Sequence, residues 1–108
     1  MLTKDSDRML CEIYKHYLSR VECGTPKARA KDFGTPENWP AGLFSDWNQS
    51  DAYETLLELK RAGMIRVYLN RGFVLLDAAI VYMENRTANK ISEGLDMAGK
   101  IKGAIPFL

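Results

Sequence analysis

Apolar residues at Met9, Leu10, Ile13, Tyr14, Tyr17, Leu18 and Val21 recur at steps of three and four. That spacing predicts an amphipathic helix over residues 6–22, capped by Thr3 or Ser6 and ended by Gly24. Thr25-Pro26 then reads as a cap followed by a proline at the first helical position, and Gly34 as a stop. A short second helix is expected there, with Ala30 and Phe33 on its dry side and Lys27, Arg29 and Lys31 on its wet side. Residues 35–49 carry two prolines, a glycine and two tryptophans, and read as a long loop. Its Trp39, Leu43, Phe44 and Trp47 are expected to pin it to the core. A third helix is predicted over residues 51–62, with Ser50 as its cap, Tyr53, Leu56, Leu57 and Leu59 mixing core positions, and Gly63 as its end.

Residues 64–69 are rich in β-branched and aromatic side chains, Asn70-Arg71-Gly72 is turn chemistry, and residues 73–76 return as a second strand. Asp77 is expected to cap a last helix from Ala78. Its apolar positions, Ile80, Met83, Ile91, Leu95, Ala98, Ile101 and Ile105, keep helical spacing up to Pro106. Unbroken to Ile105, it would be about 40 Å long at ~1.5 Å per residue. Gly94, Gly99 and Gly103 weaken it.

Helix, helix, helix and hairpin is the order of a winged helix-turn-helix. Leu56-Leu57-Glu58-Leu59-Lys60-Arg61-Ala62-Gly63-Met64-Ile65 resembles the end of a recognition helix entering a wing. Gly72-Phe73-Val74-Leu75-Leu76-Asp77-Ala78-Ala79-Ile80-Val81-Tyr82-Met83-Glu84 is similar to the wing-to-helix passage of many bacterial winged-helix proteins, a superfamily that includes phage-borne members. The resemblance implies a mainly α fold with a two-stranded β-wing. Residues 1–84 would form the winged-helix domain and residues 85–108 a helical extension for dimerisation or interaction. It also implies a DNA-binding regulator, whose third helix enters the major groove. Here that helix carries Asp51, Glu54, Thr55 and Glu58 on its expected outer face, and carboxylates facing phosphates are repelled.

The chain has 108 residues, 46% of them hydrophobic, enough for one core. Net charge is +1, with 15 basic against 14 acidic side chains, so any basic face must be local. Cys11 and Cys23 lie on one helical segment, roughly 18 Å apart at about 1.5 Å per residue, too far to bridge. Free thiols, a polar N-terminus and no long apolar run lead to the expectation of a cytoplasmic protein. Cys11, His16 and Cys23 do not fall at metal-ligand spacing, and neither a nucleophile–base pair nor a phosphate-cradling loop is legible. A non-enzymatic protein without a cofactor is expected.

Two functional readings remain. In the first, Lys27, Arg29 and Lys31 on the second helix, with Asn70 and Arg71 at the wing tip, contact duplex DNA from one continuous face. In the second, Asp46, Asp51, Glu54 and Glu58 form an acidic patch that meets a protein partner with a basic surface, such as a nucleic-acid-binding enzyme inhibited by a phage product. Trp39 and Trp47 are either a partner-binding pair or a cover for the core. The stripe Ile91, Leu95, Ala98, Ile101 and Ile105 predicts a homodimer; the alternatives are fold-back of the tail or a peripheral membrane anchor, for which Lys100 and Lys102 are a thin basic signal.

Overall fold

The computed structural model describes residues 2–93. The chain runs α1 (Lys4–Glu22), α2 (Lys27–Ala30), β1 (Asp32–Gly34), a single 3-10 turn (Pro36–Asn38), α3 (Gln49–Arg61), β2 (Ile65–Val67), β3 (Phe73–Leu75) and α4 (Asp77–Glu93). The fold is mainly helical with a small antiparallel sheet.

α1 starts at Lys4, two residues before Ser6, because Thr3 is the cap: its hydroxyl accepts from the Ser6 N–H, and Asp5 and Asp7 occupy the first turn, where the helix dipole favours negative charge. At the other end Gly24 takes φ of 95°, a left-handed conformation that closes the helix. The buried face of α1 is Met9, Leu10, Ile13, Tyr14 and Tyr17, as its spacing predicts. α3 is capped by Asn48 rather than Ser50, since the Asn48 side-chain oxygen accepts from both the Ser50 and Asp51 N–H groups. Asp77, expected as a cap, is the first residue of α4. α4 runs without a break past residue 84.

The expected two-stranded wing is part of a three-stranded sheet of order β1-β3-β2. β2 and β3 pair Ile65 with Leu75, Arg66 with Val74 and Val67 with Phe73. The added strand is Asp32-Phe33-Gly34, read from sequence as the end of the second helix. α2 stops at Ala30, and Phe33 lies in the sheet. Its ring stacks on Phe73 at 4.9 Å between centroids, and the preceding Lys31 carbonyl accepts from the Leu75 N–H at 2.8 Å. Gly72 allows this pairing: a Cβ there would stand 3.1 Å from the Gly34 backbone. α2 and α3 are therefore not consecutive helices, and β1 and residues 35–48 lie between them.

That long loop is anchored at both tryptophans. Trp39 donates from its indole to the Gly34 carbonyl at 2.9 Å and meets Phe44 and Phe73 edge-on. Trp47 donates to Glu12 at 3.2 Å and lies beneath the Arg8 guanidinium. Leu43 and Phe44 are buried. The two tryptophans thus cover the core rather than project as a pair. The main core joins α1, α3, the sheet, this loop, and Ala79 and Met83 of α4.

Candidate nucleic-acid interface

α3 packs through Ala52, Thr55, Leu56 and Leu59, which leaves Ser50, Asp51, Tyr53, Glu54, Lys60 and Arg61 exposed and Leu57 and Glu58 half-buried. This corrects the acidic face expected from sequence. Thr55 is buried, and its hydroxyl donates to the Asp51 carbonyl at 2.7 Å. Glu58 turns toward α1, where its Oε1 accepts from the hydroxyls of Ser6 at 2.7 Å and Thr3 at 2.9 Å. Those hydrogen bonds, Ser6 first, hold the Glu58 carboxyl below its usual range, and the charge of Arg61 adds to the effect. Asp51 and Glu54 stay exposed on α3. Asp46 lies elsewhere, in a groove with Asp7, Arg8, Glu12 and Arg86. The four carboxylates of the expected acidic patch are therefore divided among three surroundings.

The expected basic face is divided as well. Lys31 donates to Asp77 at 2.8 Å across the junction of α2 and α4, and that hydrogen bond raises its pKa. Lys27 and Lys31 rim a groove between α1 and α4, floored by Tyr14, Tyr17, Leu18, Val21 and Ile80. Arg29 is exposed on α2. Arg71 lies in a different concavity of about 560 Å³ at the start of α3, with Asn48, Gln49, Ser50, Tyr53 and Glu54. The cations of α2 and that of the wing tip do not line a common groove.

The wing tip is ordered by its own bonds. Tyr68 donates its N–H to the Gly72 carbonyl at 2.8 Å and accepts from the Arg71 N–H at 3.0 Å. The Asn70 side chain accepts from the Gly72 N–H at 3.0 Å, so this residue shapes the turn. Arg71 takes φ of 69°, and its guanidinium stacks over the Tyr53 ring at 5.0 Å. The cation–π contact ties the hairpin to the exposed side of α3.

A second set of exposed cations, close together in sequence, stands out instead. Lys60 and Arg61 on the last turn of α3, Arg66 on the edge strand β2, and Arg71 at the tip are all exposed. Among the described residues none of the four forms an ion pair. Residues 59–76 contain these four cations and no carboxylate, in a chain whose total is only +1. That local absence of acid is legible in the sequence; the fold shows that all four cations are exposed, with Lys60 and Arg61 at the end of α3 and Arg71 beside Tyr53 and Glu54 at its start.

Other chemistry is sparse. His16 is half-buried, and burial pushes its pKa down against the opposing pull of Glu12. Neither cysteine takes part in a disulfide. Arg86 on α4 pairs with Asp7 and also reaches the Cys11 sulfur, which fastens α4 to α1 beyond Met83. Among the described residues no cluster of His, Cys, Asp or Glu is placed to hold a metal ion, and no helix is long and apolar enough to cross a membrane. Ile91 lies in the last turn of α4, and Leu95, Ala98, Ile101 and Ile105 lie outside the described residues. Comparison of the chain with protein-family models, with curated proteins and with solved structures finds no match.

Proposed function

We propose that the protein is a winged-helix DNA-binding protein of regulatory type that acts as a homodimer, and that it grips the duplex with the C-terminal turn of α3 and the wing. The observation that carries this reading is the acid-free run of residues 59–76, with Lys60, Arg61, Arg66 and Arg71 exposed along it. A hairpin entered directly from α3 supports the winged-helix assignment. Asp51 and Glu54 remain exposed in the first half of α3, so the grip is assigned to its C-terminal turn, where Lys60 and Arg61 lie. The acidic-patch alternative loses Glu58 to the α1 contact and gains nothing in exchange. Dimerisation through Ile91, Leu95, Ala98, Ile101 and Ile105 belongs to this proposal, because a two-fold axis would present two wings to one duplex.

Fluorescence anisotropy with a mixed-sequence duplex tests it. Each neutralised phosphate contributes about 0.9 to the slope of log K against log salt, so full engagement of four cations per protomer gives a slope of about −3.6 for each. Lys31→Ala leaves that slope unchanged. Absence of binding to any duplex at low salt refutes the proposal.

A further inference from the structure

Among the described residues Leu69 is the most exposed large apolar side chain, with no part of it covered, and its neighbour Tyr68 is half exposed. A single exposed leucine on a convex surface needs no explanation. This one sits at the apex of a hairpin held by the Tyr68–Gly72 and Tyr68–Arg71 backbone bonds and the Asn70 side chain, and the hairpin is clamped to α3 through Arg71 and Tyr53. The same hairpin carries the exposed Arg66 and Arg71, and residues 59–76 contain no carboxylate. A stiff basic ribbon that ends in an apolar residue is suited to phosphates on either side and to something apolar and flat at its point.

Resting on the DNA-binding reading, we infer that Leu69 is a wedge: the wing enters the minor groove and Leu69 inserts at a base step, partly unstacking it and bending the duplex. Apolar side chains inserted in this way open a step toward the major groove, and the extra phosphate contacts that bending permits offset the lost stacking. Charge complementarity selects DNA over a protein partner, since the hairpin that carries the apolar tip also carries two exposed cations, Arg66 and Arg71, neither in an ion pair, and no carboxylate of its own. Pyrimidine–purine steps, which unstack most readily, are the sites it would select.

The test uses the full-length chain and duplexes labelled at both ends for energy transfer, with 2-aminopurine beside a central TA step. The unmodified protein shortens the end-to-end distance and raises 2-aminopurine fluorescence. Leu69→Ala, which removes no packing and leaves the melting temperature unchanged, keeps the salt slope but loses both signals. Leu69→Met restores them. Arg66→Ala lowers the slope by about 0.9 while bound complexes remain bent. Bending by Leu69→Ala equal to that of the unmodified protein overturns the wedge and leaves the DNA-binding reading standing, as does binding without any bend. A change in oligomeric state of the free protein on Leu69→Ala overturns it in favour of self-contact. No binding by the unmodified protein overturns both.

Discussion

Glu58 on α3 accepts a 2.7 Å hydrogen bond from the hydroxyl of Ser6, a residue of α1 that is 1% exposed. With the bond from Thr3, this fixes the N-terminal turn of α1 against the middle of α3 and gives acid sensitivity a definite origin. The folded-state pKa of Glu58 is lowered, so its contribution to stability is present above the ordinary glutamate value of about 4.3 and is lost as pH falls through the folded value. His16 is also lowered, by burial, so its contribution is present above about 6.5 and is lost on acidification in the same sense. Stability should decline from below pH ~6.5 and more steeply below ~4.3. In urea titrations across pH, Glu58→Gln should flatten the lower step and leave the upper one.

Glu12 on α1 holds the loop before α3. Its Oε2 accepts from the Phe44 N–H at 2.6 Å and its Oε1 from the Trp47 indole. Phe44 has φ of 61°, unusual for a bulky residue, and the carboxylate helps keep it there. Glu12→Ala should cost about 1–3 kcal/mol through the orphaned N–H groups. Tryptophan emission should shift to the red as Trp47 loosens.

Phe73 is fully buried, stacks with Phe33 and Phe44 and meets Trp39 edge-on. Phe73→Ala should therefore cost about 3–5 kcal/mol, a large part of the 5–15 kcal/mol typical of a domain. Phe73→Leu should cost less, and denaturant midpoints compare the two.

The interface makes a contrast among cations. Lys60→Ala and Arg66→Ala should each reduce the salt slope of DNA binding by about 0.9, uniformly across sequences. Lys31→Ala, which removes the partner of Asp77, should leave the slope alone. Anisotropy titrations at several salt concentrations measure all three.

Leu95→Asp should shift the protein from dimer to monomer by placing a charge in the proposed helical interface. Light scattering at high micromolar concentration checks it, and a monomeric unmodified protein refutes the dimer.

Local rules carried much of this fold. Apolar period and turn chemistry placed α1, α3, the hairpin and, within a residue, the start of α4, and marked Trp39, Leu43, Phe44 and Trp47 as anchors, because those signals act between residues a few positions apart, although the caps of α3 and α4 fell on other residues than Ser50 and Asp77. Strand β1 was illegible for the opposite reason. Lys27 to Gly34 has good helix punctuation, and only Leu75 and Phe73, some forty residues away, make Phe33 a strand residue. The site divides in the same way. Arg71 and the turn at Asn70-Arg71-Gly72 follow from sequence, as does the lack of acid between residues 59 and 76. Which charges face solvent was decided by tertiary partners: Ser6 draws in Glu58, Asp77 engages Lys31, and Tyr53 holds Arg71. A charge's sign is set by its residue type, but its availability depends on a counterpart that folding brings from elsewhere in the chain.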